Sequence, residues 1–215
     1  MLFSTPNYKL TDDDKNYVYD PAEDSFLLLD ALEKDVQELR RALPTIAVEI
    51  GVGSGIVSTF LRQILEKPIC LFATDVNWKA LQCSKKTASL NRVDFELIFC
   101  DLSLPLNCRL QSAVDILVIN PPYVNTDDPA TSDLALSWCG GPTGRDALDR
   151  LMPLVPGLLS TTGVMYVVAS KANNISHILT MNPGLSGTVV LERQCGSEHL
   201  YVLKFIRKGA NEVSI

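Results

Sequence analysis

Apolar and polar positions recur along the chain with two different periods. Pro21 can occupy the first turn of a helix, and Phe26, Leu29, Leu32, Val36 and Leu39 then follow at three- and four-residue steps. That spacing predicts one helix over residues 22–41, stopped by Pro44. Beyond it the pattern alternates. Short apolar runs at 46–50, 69–74, 95–100, 114–119 and 164–169 predict strands, the fourth apolar throughout except for Asp115. Helical stretches are expected between them at 55–66, 78–90 and 146–159, the last interrupted by Pro153 and Pro156, with a short one at 175–181. The final runs, 187–192 and 200–206, have only a short turn between them. Strands alternating with helices imply an α/β domain with a mostly parallel sheet covered on both faces. Seven runs give seven strands, and a terminal pair without a helix predicts that one strand runs antiparallel. No internal repeat or low-complexity tract interrupts the pattern. Residues 1–15, polar and acidic with Asp12, Asp13 and Asp14, read as a flexible lead-in to a single domain over 16–210.

Composition narrows the class. The 215 residues carry 19 Lys plus Arg against 25 Asp plus Glu, a net charge of −6. Duplex nucleic-acid binders use a basic stripe because phosphate contacts supply most of their affinity, and the basic residues here cluster no further than pairs such as Lys85-Lys86. Nucleic acid is therefore disfavoured as a partner. No apolar run reaches the ~18 residues of a membrane span. The six cysteines (70, 83, 100, 108, 139 and 195) are scattered without a C-x-x-C pair, so they read as small buried hydrophobes in a reducing compartment, with no metal site. His177 and His199 read as surface or capping residues. These features imply a soluble, intracellular protein.

Candidate chemistry gathers at the carboxyl ends of the strands, the rim where open α/β sheets bind ligands. Glu49-Ile50-Gly51-Val52-Gly53-Ser54-Gly55 lies where the first strand turns into its helix. Glycines there let the backbone turn tightly and approach a ligand, although such a turn also fits a plain strand-to-helix loop. Asp75 ends the second strand, where a carboxylate can accept both hydroxyls of a ribose, and Asp101 follows the third, where it can receive an adenine amino group. The spacing is G-x-G-x-G rather than the G-x-G-x-x-G that cradles a pyrophosphate. Glu49 would repel a pyrophosphate but attract an ammonium or a sulfonium. S-adenosylmethionine is the expected cofactor.

The fourth strand runs directly into Asn120-Pro121-Pro122-Tyr123. Two prolines fix their own φ angles and push Asn120 out of the helical region, which makes a stiff loop at the same rim. An amide or aromatic amine nitrogen is a poor nucleophile because its lone pair is delocalised. If the Asn120 side-chain oxygen and the Pro121 carbonyl accept its two N–H bonds, the lone pair can turn toward a sulfonium methyl, while Tyr123 stacks on the planar group.

With those residues in place, the sequence resembles the HemK-type glutamine-N5 methyltransferases, in their short eukaryotic and archaeal form. N-P-P-Y is a signature of amino methyltransferases. Tyr19-Asp20-Pro21-Ala22-Glu23-Asp24-Ser25-Phe26-Leu27-Leu28 resembles that family's opening, and Ser137-Trp138-Cys139-Gly140-Gly141-Pro142-Thr143-Gly144-Arg145 resembles its segment after the catalytic loop. The resemblance implies a Rossmann-like class I methyltransferase domain whose substrate is the glutamine of the Gly-Gly-Gln loop in the translation termination factor. Lysine and nucleic-acid amino groups are the alternative acceptors. It implies that Asn120, Pro121 and Tyr123 are catalytic. Glu49, Gly51, Gly53, Gly55, Asp75, Asp101, Asn120 and Ser25 would bind the cofactor, and Glu23, Asp24, Pro122, Tyr123 and Arg145 the substrate. It further implies a heterodimer with a small zinc-binding activator protein, working in the cytoplasm or the nucleus as well. The third strand would lie at an edge of the sheet and reads Phe95-Glu96-Leu97-Ile98-Phe99. An apolar edge needs covering, either by a helix of the same chain or by a strand of that partner.

Overall fold

The computed structural model describes residues 3–209. The apolar runs form one sheet of seven strands: β1 (Ile46–Ile50), β2 (Cys70–Asp75), β3 (Glu96–Phe99), β4 (Val114–Ile119), β5 (Leu159–Ser170), β6 (Leu185–Cys195) and β7 (Glu198–Arg207). Their order is β3-β2-β1-β4-β5-β7-β6. The first five are parallel to one another, and β7 runs antiparallel between β5 and β6. The helices are α1 (Glu23–Lys34), α2 (Val36–Arg41), α3 (Ile56–Ile64), α4 (Trp78–Leu90), α5 (Asp133–Leu136), α6 (Asp146–Leu151), α7 (Val155–Leu158) and α8 (Ile175–Thr180).

β4 shows why its run is apolar without alternation. Ile116 and Val118 pack into one layer with α1 and α3, against Leu28, Leu32, Phe60 and Ile64. Leu117 and Ile119 pack into the opposite layer with Leu148, Leu151, Val155 and Ile178 of α6, α7 and α8. A strand buried on both faces has no solvent side for polar residues.

Several boundaries differ from the sequence reading. The helix predicted over 22–41 divides at Asp35, whose φ and ψ of −92° and 4° leave the helical region. Its carboxylate accepts from the buried Tyr166 hydroxyl at 2.7 Å and from Lys204 Nζ at 2.9 Å, ties to β5 and β7 that no local pattern contains. The helix predicted over 146–159 is two short ones, because Pro153 has no N–H to continue the first. β5 therefore begins five residues earlier than expected, at Leu159, paired with Val114.

The segment read as a flexible lead-in is laid along the domain from Phe3 onward. The Phe3 amide donates to Glu33 Oε1, Asn7 and Asn91 exchange two hydrogen bonds, and the buried Asp14 accepts from Thr11 and from Lys86 Nζ at 3.0 Å. Residues 1 and 210, the outer limits of the two predicted segments, lie outside the described residues. The cysteines also depart from expectation. Only Cys83 is buried, while Cys70 and Cys108 are exposed at the start of β2 and in a turn. Among the described residues no helix is long and apolar enough to cross a membrane.

Candidate active site

The turn after β1 is built on backbone strain that glycine relieves. Gly51, Gly53 and Gly55 have φ of 73°, 50° and 81°, the left-handed region that side chains disfavour. A Cβ added at Gly51 or Gly53 would meet no atom within 4 Å, so the turn presents bare backbone to open space. Neighbouring strand ends hold it. The Gly51 and Val52 amides donate to the Thr74 carbonyl, and Asp75 Oδ2 accepts from the Gly53 amide at 3.0 Å. Asp75 Oδ1 accepts from the Asn77 amide at 2.8 Å. Burial raises the Asp75 carboxyl above its ordinary value, and these backbone donors pull it back.

The turn forms one wall of a cavity of about 240 Å³, together with Ser25, Glu49, Asp75, Asp101, Asn120, Pro121 and Pro122. Tyr17, Val18 and Tyr19 close it from the N-terminal side. Glu49 is only 3% exposed, and both the amide and the hydroxyl of Ser58 donate to its Oε2. Burial pushes its carboxyl up to about 8, against the pull of those two bonds. Burial therefore favours the protonated form of the group that the sequence reading pointed at a cation. Asp101 is paired with Arg150 of α6, which lines the same cavity.

Asn120 leaves β4 with its amide fixed by Asp24, at the first turn of α1. Asn120 Nδ2 donates to Asp24 Oδ2 at 2.9 Å. The other oxygen, Oδ1, accepts from the Ser25 amide at 2.7 Å and from the Tyr19 hydroxyl at 3.2 Å. An ionised carboxylate only accepts, so it binds the NH₂ end of the amide and turns the carbonyl end away. Asn120 Oδ1 is buried and, among the described residues, accepts no hydrogen bond. Such an atom costs stability unless something arrives to donate to it.

A second cavity of about 460 Å³ adjoins the first, with Tyr19 and Asp24 in the wall of both. Tyr123, Glu23, Arg193 and Glu198 line it, so the proline loop has Pro121 and Pro122 on one side and Tyr123 on the other. Burial, and then the Asp24 charge, push the Tyr19 and Tyr123 phenols above their ordinary range. Glu23 lies at this second cavity, within reach of Arg193 at 3.5 Å.

Arg145 is placed otherwise than expected. It lines neither cavity; its Nη1 donates to the Asn173 carbonyl at 2.9 Å and its Nε lies 3.4 Å from Asp149. Asn173, which sequence reasoning missed, is 1% exposed and donates to the Tyr123 carbonyl at 2.8 Å. Gly144, with φ of 65°, is where the segment passes this junction: a Cβ there would come within 2.3 Å of the Tyr123 carbonyl. The glycine-rich segment is therefore a brace for the proline loop. Tyr19 and Arg150 were also missed. Arg150 stands three residues after Ala147, which lines the same cavity, so helical spacing was its only signal.

Residues 20–137 match the family described as Methyltransferase small domain. The chain is 45% identical over 194 residues to Methyltransferase HEMK2 of Homo sapiens, covering 88% of this chain and 90% of that one. It is 37% identical over 208 residues to the eRF1 methyltransferase catalytic subunit mtq2 of Schizosaccharomyces pombe, covering 89% and 90%. Among solved structures, it resembles the E. cuniculi Mtq2-Trm112 complex responsible for methylation of the eRF1 translation termination factor. That match has a TM-score of 0.68 at 28% identity and covers 89% of this chain and 99% of the other.

Proposed function

The chain belongs to the methyltransferase family of HEMK2 and mtq2, and on that premise we propose that it methylates the side-chain amide nitrogen of the glutamine in the Gly-Gly-Gln loop of the translation termination factor, with S-adenosylmethionine as donor. The observation that carries this reading is the Oδ1 of Asn120, buried and, among the described residues, unpartnered, on an amide whose other end is held by Asp24 in the wall of the two cavities. A primary amide is the complement of such an acceptor, since its nitrogen carries two N–H bonds and a delocalised lone pair.

The residues present fit the cofactor. The open glycine turn and Ser25 suit its amino-acid part, Glu49 its cationic end, Asp75 the ribose hydroxyls and Asp101 the adenine amino group. When bound, it supplies an electrophilic methyl group on a sulfonium. Asn120 Oδ1 and the Pro121 carbonyl accept the two N–H bonds of the glutamine amide and hold its plane so that the lone pair faces that methyl. Tyr123, in the second cavity, stacks on the amide and excludes water, and Glu23 and Asp24 face the incoming peptide there. With the donor held by the glycine turn, Glu49 and Asp75, the amide nitrogen would take up the methyl, the donor would be left as a neutral thioether, and the nitrogen's surplus proton would be given up to solvent once the product leaves the loop. Orientation of this kind supplies roughly 7–11 kcal/mol of barrier lowering in well-aligned systems, so positioning suffices without a strong base.

A small partner of the Trm112 kind would cover the outer edge of β3. α4 packs against β3 but leaves Phe99 60% exposed, in edge-on contact with the equally exposed Trp78 at 6.2 Å. This activity belongs in the cytoplasm, where translation terminates, with the nucleus as a second compartment. The test is transfer of label from S-adenosylmethionine to purified termination factor by the chain co-expressed with that partner. Label on the Gly-Gly-Gln glutamine is expected, lost with a Gln→Ala substrate and reduced about 100-fold or more in Asn120→Ala. Asp24→Asn, which can donate to Asn120 and reverse its amide, lowers turnover by a similar route. Label on lysine, or on RNA, would replace the assigned acceptor.

A further inference from the structure

Arg150 has no place in the reaction just described, yet it lines the cofactor cavity and pairs with Asp101, 49 residues away. Both side chains are about half exposed, 57% for Arg150 and 41% for Asp101. An ion pair so exposed adds little to the stability of the fold. Its consequence lies in where it holds the Asp101 carboxylate. Arg150 engages Oδ2, and among the described residues Oδ1 accepts no hydrogen bond.

We propose that Arg150 is a positioning residue for the purine end of the cofactor, fixing Asp101 so that its second oxygen reads a 6-amino group and rejects a 6-oxo group. This rests on the assignment of the cavity to S-adenosylmethionine. A carboxylate can only accept, so it binds an exocyclic amine and repels a carbonyl oxygen at the same position. That discrimination requires the carboxylate to stay in place. Asp101 follows a short edge strand and would otherwise turn into solvent. A guanidinium supplies that constraint through a charge-assisted bond from its Nη2 to Oδ2, which leaves Oδ1 open. Arg150 comes from the same face of α6 as Ala147, which lines the same cavity.

The full chain with its co-expressed partner is titrated by calorimetry with S-adenosylhomocysteine and with its 6-oxo analogue, S-inosylhomocysteine. Wild type binds the adenine compound at least tenfold more tightly. Arg150→Met, which keeps length without charge, weakens adenine binding about tenfold and brings the two affinities close together, while Arg150→Lys restores part of the preference. In the Asp101→Asn background, Arg150→Met has little further effect, as expected when the two act as a unit. An unchanged preference in Arg150→Met, additive losses in the double variant, or equal binding of both compounds by wild type would each overturn the proposal and leave the cofactor assignment standing. Wild type binding neither compound would remove that assignment, and the role of Arg150 with it.

Discussion

The carboxyl of Glu49 is buried near the end of a strand and, among the described residues, only Ser58 donates to it, so its charge depends on what lies beside it. Its pKa is raised from 4.5 to about 8, mainly by burial. A carboxyl raised in this way favours the folded state while protonated, and that contribution is lost as pH climbs from 4.5 through about 8. A cation bound next to it reverses the preference, so binding expels a proton. The affinity of the chain for S-adenosylmethionine should therefore rise with pH from 6 toward 8 and level off above. Glu49→Gln should flatten most of that slope, and calorimetry in buffers of different ionisation heat should show the proton release only in wild type. A slope unchanged in Glu49→Gln would mean that another group titrates. Asn120 follows the same logic without titration. Its type and place were legible because two prolines follow it, but the direction of its amide was not, since Asp24 stands 96 residues earlier.

At the scale of elements, the proline loop is stiff by its own covalent structure and is held in place by others. Asn173, in the turn after β5, donates to the Tyr123 carbonyl and to the Thr143 carbonyl, and its Oδ1 accepts from the Ser170 amide at 2.7 Å. Removing it leaves the buried Ser170 amide and the part-buried Tyr123 carbonyl without that partner. Asn173→Ala should cost about 2 kcal/mol, a fall of roughly 4–8 °C in Tm for a domain of this size. Gly144→Ala should do at least as much, because it combines a left-handed φ with a clash against backbone. Both should lower turnover while leaving cofactor affinity nearly intact, which thermal unfolding and calorimetry on the same preparations will show. The sequence made the glycines of this segment visible and assigned Arg145 to the substrate. The structure turns Arg145 toward Asn173, because the segment folds back on the loop it was expected merely to follow. Helix ends were misjudged for a related reason. Asp35 breaks α1 from α2 to meet Tyr166 and Lys204, partners that lie more than 130 residues away.

For the whole molecule, the sheet order leaves β3 with one neighbour, and Phe99 beside Trp78 makes its outer side apolar. Phe99→Asp should leave the fold of the chain unchanged, because the ring is largely in solvent. It should weaken association with a Trm112-like partner by roughly 30- to 150-fold, the loss of an aromatic anchor worth about 2–3 kcal/mol. Sedimentation of the purified mixture distinguishes this from an effect on catalysis, and unaltered association would place the interface elsewhere. The primary structure set out the seven strands and most of the helices around them, because a buried strand or a helix face writes its period into consecutive residues. It also determined the glycine turn and the Asn-Pro-Pro-Tyr loop, since glycine and proline act on the backbone where they stand. The tertiary structure alone decided that Asp24 orients Asn120, that Arg150 holds Asp101 and that Asn173 braces Tyr123. Each of these joins groups 49 to 96 residues apart, and hydrogen-bond direction is fixed only when packing brings the partners within about 3 Å.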